Sequence, residues 1–220
     1  MSEKFKVIAI DGGAASGKSS TSKAIAMRNN YLHVDTGAHY RSITYSALAK
    51  KLNPDDEKLL QNFLDQLKME TKIEDRESLM VVDGVVPDGS AIRSEAVNGN
   101  VSKFAAVEEV RSAVKAYQQN QVSIARANGF DGIIMDGRDI GTIILPNADL
   151  KVFLYADEET KMKRRLSDGQ VDAIAQRDKL DSTRKTAPLV PAEDSLQIDN
   201  SNMTLDQVVE RVEQELKRIG

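Results

Sequence analysis

Short apolar runs closed by Asp or Gly alternate along the chain with longer segments in which apolar residues recur at helical spacing. The runs are Lys6 to Asp11, Leu32 to Asp35, Gly132 to Asp136, Lys151 to Ala156 and Leu196 to Asp199. This alternation predicts parallel strands joined by crossover helices, an α/β protein. Helices are predicted at Lys18 to Asn29, Ala38 to Lys51, Val107 to Asn128, Asp157 to Leu166 and Leu205 to Ile219, with Asp157 and Thr204 as polar N-cap residues. Several of the runs end in Asp, and open parallel sheets collect ligands at the carboxyl ends of their strands, so the chemistry is expected along that edge.

Between about Asp56 and Lys103 the pattern changes. A helix is followed by alternating strands at Lys72 to Glu77 and Leu79 to Asp83, then by turns at Gly84, Pro87 and Gly89. This reads as an inserted subdomain. The stretch Ser167 to Pro191 is rich in Arg, Asp and Lys and too polar to be core, and no internal repeat is visible. At 220 residues, with 40% hydrophobic and 29% charged residues, the chain suits one globular domain carrying an insertion.

Charge and cysteine content narrow the function classes. A net charge of −4 argues against a sequence-independent grip on a nucleic-acid polymer, which needs a basic footprint. The absence of Cys removes disulfides, thiolate metal sites and cysteine nucleophiles, and suits a reducing compartment. The longest stretch without Asp, Glu, Lys or Arg, Ala116 to Ala125, is far short of the roughly 18 apolar residues of a membrane span. Met1 to Lys6 is charged and passes into Val7 to Ile10, too short an apolar run for a signal peptide. The expectation is a cytoplasmic protein with no membrane partner, and a monomer, since no exposed apolar stripe stands out.

Gly12-Gly13-Ala14-Ala15-Ser16-Gly17-Lys18-Ser19, followed by Ser20, satisfies G-x-x-x-x-G-K-[ST] between an apolar run and a helical pattern. Glycines let backbone N–H groups converge on phosphates, the following helix presents its positive end, and Lys18 spans the outer phosphates. Ser19 is the expected Mg²⁺ ligand. Asp136, closing Ile133-Ile134-Met135, has the strand-then-Asp form of the second nucleotide motif, which meets the ion directly or through its water. A turn or a helix cap would also explain an Asp at that place.

A GTP switch should carry Asn-Lys-x-Asp, and the chain has none. Three places point instead to an acceptor for the phosphoryl group. In Asp35-Thr36-Gly37-Ala38-His39-Tyr40-Arg41, Thr36 is predicted to cap a helix whose end, with Arg41, faces an anion. Asp136-Gly137-Arg138-Asp139 sets opposite charges beside a Gly at a strand end. Arg177, Asp181 and Arg184 are spaced to share one helical face, a pattern that a solvated salt-bridge ladder explains equally well. The two histidines, His33 and His39, are assigned to packing or surface roles. A kinase acting on some small molecule, whether a nucleotide or shikimate, and a non-enzymatic nucleotide switch both remain open on this reading.

With these motifs, and with Ala91-Ile92-Arg93-Ser94-Glu95-Ala96-Val97, Val101-Ser102, Val110-Arg111, Asp136-Gly137-Arg138-Asp139-Ile140-Gly141-Thr142 and Thr186-Ala187-Pro188-Leu189-Val190-Pro191, the chain resembles the bacterial cytidylate kinases, within the nucleoside monophosphate kinases and the P-loop superfamily. The resemblance implies a three-layer α/β/α fold with a five-stranded parallel sheet. It divides the chain into a core of 1–60 and 104–220, an inserted monophosphate-binding subdomain at 61–103 and a short lid at 167–185. The implied reaction is transfer of the γ-phosphoryl group of ATP, with Mg²⁺, to CMP or dCMP. Carried over by matching position, Ser102, Arg111 and Asp139 would read cytosine, Arg177 and Asp181 would hold the sugar, and Arg41, Arg138 and Arg184 would bind phosphate. Lys18, Arg138, Arg177 and Arg184 would stabilise the transferred group. Leu180 stands where many members carry another lid arginine, and Thr36 replaces a frequent Ser while keeping its hydroxyl.

Overall fold

The computed structural model describes residues 5–167, 182–183 and 187–219. Strands β1 (Lys6–Gly12), β2 (Tyr31–Asp35), β5 (Gly132–Gly137), β6 (Leu150–Tyr155) and β7 (Leu196–Asp199) realise the five predicted runs. They pair in parallel in the order β2-β5-β1-β6-β7, with β1 central. Helices α1 (Lys18–Asn29), α2 (Thr36–Ala49), α5 (Glu108–Ala127), α6 (Glu158–Ser167) and α7 (Leu205–Ile219) fall close to their predicted ranges.

The sheet is buried on both faces, which makes the architecture three-layered. On one face Ile8, Ile10, Ile134 and Leu154 pack with Ile25 of α1 and Val209 and Val212 of α7. On the other, Ala9, Val34, Ile133 and Met135 pack with Ala125 of α5 and with Ile140 and Ile144 of a π-helical turn, Ile140–Ile144. Adjacent residues of β1 and β5 thus face opposite layers, as strand geometry requires.

The expected five-stranded sheet is corrected to seven strands of mixed direction. Between α2 and α5 lie α3 (Glu57–Gln66), a hairpin of β3 (Met69–Glu74) and β4 (Glu77–Val82), and α4 (Glu95–Phe104). The antiparallel hairpin joins the edge of β2, with His33 and Glu77 in register and the His33 N–H donating to the Arg76 carbonyl at 2.7 Å. Left bare, that edge would be a row of unpaired backbone groups, and the hairpin covers it. Its turn also falls earlier than the sequence suggested, at Asp75-Arg76, because Asp75 adopts a left-handed φ of 52° that lets two residues reverse the chain.

One helix start is corrected as well, and one helix is added. The N-cap of α2 is Asp35, whose Oδ1 accepts from the Ala38 N–H at 3.0 Å, and not Thr36, which is the first helical residue. Helix α4 was absent from the sequence reading, since Asn98, Gly99 and Asn100 lower its propensity. Burial of Val97, Val101 and Phe104 along one face decides it. The expected caps do form further on: Asp157 accepts from the Thr160 N–H at 2.7 Å, and Thr204 and Gln207 exchange bonds in a reciprocal box.

One apolar cluster joins Ile43 of α2, Leu60 and Phe63 of α3, Met80 and Val82 of β4, Phe104 of α4 and Val114 of α5. Phe104 is fully buried in it, at 0% exposure. Phe104→Ala is therefore expected to destabilise the fold by about 3–5 kcal/mol in urea unfolding. A loss below about 1 kcal/mol would show that this cluster does not hold α3, β4 and α4 against α2 and α5.

Candidate active site

The loop between β1 and α1 is built on two glycines with different tasks. A Cβ on Gly12 would lie 2.3 Å from the Leu154 carbonyl and 2.7 Å from Ser16 Oγ, so only Gly lets β1 and β6 close at that level. Gly17 adopts a left-handed φ of 84° and turns the chain into α1, which begins without a side-chain cap and without an acidic residue in its first turn. Its leading N–H groups and positive end therefore face the loop. Lys18 Nζ reaches back across the loop to the Gly13 carbonyl at 3.0 Å. On the outside, Asn200 Nδ2 donates to the Ser16 carbonyl at 2.7 Å, and Arg164 Nη1 to the Ala15 carbonyl at 3.3 Å. With these carbonyls held outward, the loop is shaped to bind an anion.

Asp136, 1% exposed at the end of β5, is the hub beside this loop. Its Oδ1 accepts from Ser19 Oγ at 2.8 Å, its Oδ2 from His33 Nε2 at 2.7 Å, and its backbone carbonyl from Thr36 Oγ1 at 2.8 Å. The contact to His33 corrects the assignment of that residue to packing or surface. His39 does behave as packing: neither ring nitrogen has a hydrogen-bond partner among the described residues, its ring meets Tyr117 edge-on at 5.0 Å, and burial pushes its pKa down to about 4.

Two clefts meet at the loop. One, of about 380 Å³, is walled by Lys18, Ser19 and Asp136 and, across from them, by Thr36, Arg41, Arg93, Ser102, Arg138 and Asp139. The other, of about 430 Å³, runs from Gly17, Ser20 and Thr21 to Arg164, Asn200, Met203 and Val208. Ala15, Lys18, Ser19 and Arg165 line both. Within the first cleft Arg138 Nη1 donates to the Gly12 carbonyl at 3.3 Å, Arg41 to Asn98 Oδ1, and Arg93 Nη2 to Asp35 Oδ2 at 3.3 Å. Asp139 is buried and bonded to the equally buried Arg111, whose other nitrogen donates to the Ala105 carbonyl at 3.3 Å. Arg111 thereby holds Asp139, and its guanidinium also lies 5.8 Å from the ring centroid of Tyr40.

Of the residues expected from sequence, the loop, Thr36, Arg41, Ser102, Asp136, Arg138 and Asp139 come together. Arg177, Asp181, Arg184 and Leu180 lie outside the described residues, as does most of 167–185. Asn200, His33 and Asp11 are not singled out by the sequence as site residues. For Asn200 and Asp11 the signal was present, since both sit where a strand run ends. For His33 it was not, because its bond depends on β2 lying beside β5.

Asp11, at the end of β1, is 4% exposed; its Oδ1 and Oδ2 accept from the N–H groups of Ile140 and Gly141, each at 2.8 Å. It anchors the turn that follows Arg138 and Asp139. Burial pushes its pKa up to about 6, against the lowering effect of the two N–H bonds.

A glycine-rich loop between a parallel strand and a helix, a strand-end Asp bonded to the loop's Ser, and two clefts sharing the loop's Lys together define a P-loop nucleotide-binding protein with room for a second ligand. The chain belongs to the cytidylate kinase family, whose model matches residues 8–218. It is 42% identical over 216 residues to a cytidylate kinase of Geobacillus sp. (strain WCH70), covering 93% of each chain. With a cytidylate kinase of Limosilactobacillus reuteri (strain DSM 20016) it shares 39% identity over 225 residues, covering 96% of this chain and 95% of the relative. An uncharacterized protein from Eubacterium ventriosum shares the fold alone, at TM-score 0.50 and 15% identity, covering 98% of this chain and 99% of that one. Among the described residues no helix is long and apolar enough to cross a membrane.

The raised pKa of Asp11 has a signed consequence for stability. Between pH 3.8 and about 6 the folded protein keeps a proton that the unfolded chain has lost, so this group's contribution to stability falls as pH rises through that window. The full span amounts to about 3 kcal/mol. Urea unfolding of wild type and Asp11→Asn, compared from pH 4 to 7, should show the wild type losing ground to the variant as pH rises. A difference independent of pH would contradict a buried, costly carboxylate at this position.

Proposed function

We propose that this protein transfers the γ-phosphoryl group of ATP to CMP or dCMP, giving ADP and CDP or dCDP. The observation that carries the reading is the pair of clefts sharing Lys18 and Ser19, with a buried carboxylate, Asp139, on the wall of one of them. Such a layout suits a donor and an acceptor whose phosphates converge on one loop. Membership of the cytidylate kinase family supports the identity of the acceptor.

Phosphoryl transfer asks a protein for alignment and charge stabilisation more than for proton chemistry, because the acceptor phosphate is already an anionic nucleophile. The cleft that runs towards Asn200 and Met203 takes the donor nucleotide, with its phosphates on the N–H groups of 13–19. Lys18 spans the outer phosphates. The other cleft takes the acceptor, its phosphate held by Arg41 and Arg138 and, from the segment 167–185, by Arg177 and Arg184, with Asp181 and Arg177 on the sugar. Arg93 and Ser102, from the insertion, complete the acceptor wall, which fits 61–103 as a monophosphate-binding subdomain. Arg138 lies between the Gly12 carbonyl and the acceptor side, where a guanidinium neutralises charge on the group in flight.

Cytosine offers an exocyclic amine, which a carboxylate accepts, whereas uracil offers an acceptor at that place. Asp139, kept in position by Arg111, would face that amine; against uracil its cleft side would meet a second acceptor in place of a donor. The donor set also fits a magnesium ion. Ser19 Oγ and Asp136 Oδ1 are hard oxygens 2.8 Å apart beside the loop, and no group of three His, Cys, Asp or Glu among the described residues would hold a metal unaided. That matches an ion bound chiefly through water and nucleotide phosphates. When bound it would supply positive charge to the phosphate oxygens, while Ser19 and Asp136 hold it or its water.

The test is ADP release from ATP with Mg²⁺ against CMP, dCMP, UMP, AMP, GMP and shikimate, repeated with EDTA and with Asp139→Asn. Turnover should be confined to CMP and dCMP with UMP weak, should vanish with EDTA, and in the variant the CMP-to-UMP ratio should fall by about tenfold or more. Absence of turnover with either cytidine nucleotide would remove the acceptor assignment. An unchanged ratio in Asp139→Asn would remove the base-reading role.

A further inference from the structure

We propose that His33 is a positioning residue for the nucleotide-metal site: by donating to one oxygen of Asp136 it fixes the carboxylate so that the other oxygen receives the proton of Ser19, and the Ser19 lone pairs are left facing the cleft. The proposal rests on reading the Ser19 and Asp136 oxygens as the donor set for a nucleotide-bound divalent cation.

The placement follows from strand register. On β2, His33 is the Cα partner of Ile134 on β5. Side chains alternate along a strand, so His33, Ile134 and Asp136 share one face of the sheet, while Leu32 and Val34 pack on the other. His33 and Asp136 are 2% and 1% exposed, and Nε2 to Oδ2 is 2.7 Å. A carboxylate can only accept, so Nε2 carries the hydrogen of this bond. An aliphatic side chain at 33 would leave Oδ2 of a buried charge without this donor, free to rotate towards whatever donor the cleft offers.

The consequence reaches Ser19 through the second oxygen. A hydroxyl has one hydrogen and two lone pairs, and it can face a cation only when its hydrogen points elsewhere. Ser19 Oγ lies 2.8 Å from Asp136 Oδ1, which takes that hydrogen. The Thr36 bond to the Asp136 carbonyl fixes the backbone but leaves the carboxylate free to turn, so the bond from His33 supplies the rotational restraint. Partners of this kind, one bond removed from a metal site, are typically worth about 10–100-fold in metal affinity.

Wild type, His33→Leu and His33→Gln are compared for Mn²⁺ binding to their ADP complexes by electron paramagnetic resonance, a readout that needs no turnover. Folding is checked by circular dichroism. His33→Leu is expected to weaken Mn²⁺ about 10–100-fold. His33→Gln, whose amide can still donate to Oδ2, should stay within about threefold of wild type. In the kinase assay the half-saturating Mg²⁺ concentration should rise in parallel for His33→Leu, with KM for CMP unchanged. A folded His33→Leu with wild-type Mn²⁺ affinity overturns the proposal, and so does His33→Gln falling as far as His33→Leu, which would mean that ring shape and not the hydrogen bond matters. If His33→Leu does not fold, His33→Asn, polar but too short to reach Oδ2, takes its place under the same criteria. Mn²⁺ binding to the ADP complex reads the phosphate loop whatever the acceptor, so failure of this proposal is distinct from failure of the CMP assignment.

Discussion

A carboxylate buried to 1% exposure has to be satisfied from every side, and Asp136 is satisfied by three different elements: Ser19 from α1, His33 from β2 and, at its backbone carbonyl, Thr36 from the start of α2. An ionised group so placed costs several kcal/mol unless its partners are correctly arranged. The constraint therefore runs outward from Asp136. It fixes where β2 lies beside β5, where α2 begins, and how the first turn of α1 is rotated over the phosphate loop. Parallel strands bring their carboxyl ends to one edge, and this hub uses that property to hold the loop, the start of α2 and the Ser19 and Asp136 oxygens in one frame.

Two more buried carboxylates share the edge, each satisfied in its own way. Asp11 takes two backbone N–H groups from the π-helical turn, and Asp139 takes the Arg111 guanidinium. The cleft that Asp139 lines also carries the cations Lys18, Arg41, Arg93 and Arg138. A carboxylate beside a ring of arginines suits an anionic ligand that also carries a hydrogen-bond-donating edge, and the phosphate and the amine of cytidylate have that combination. The stability given up at Asp11 goes into anchoring the turn that follows Arg138 and Asp139. In that sense the fold accepts a local penalty where alignment of phosphates requires it.

What could be read from the sequence divides along a physical line. Features set by contiguous residues were legible: the β1-loop-α1 unit, the five strand runs, Asp136 at a strand end, and the caps at Asp157 and Thr204. Features set by which elements lie side by side were not. The alternation of β3 and β4 says that they are strands with one buried face but not that they extend the main sheet, since the free edge of β2 is not a local property. The role of His33 has the same origin. Helix α4 shows the complementary failure: Asn98, Gly99 and Asn100 argue locally against a helix, and tertiary burial of Val97, Val101 and Phe104 overrides them. At the site, Lys18, Ser19, Thr36, Arg41, Ser102, Asp136, Arg138 and Asp139 line one cleft, whereas Arg164, which holds the loop from outside, comes from a distant part of the chain.

The central claim is that two nucleotides bind at once with their phosphates converging on Lys18. It is tested most directly by calorimetry with adenosine and cytidine joined 5′ to 5′ through five phosphates, in the presence of Mg²⁺. One molecule should bind per chain, displace both ATP and CMP, and bind at least about a hundredfold more tightly than either alone, as linkage across two adjacent clefts requires. Displacement of only one of the two nucleotides, or an affinity no better than that of ATP, would contradict a shared site.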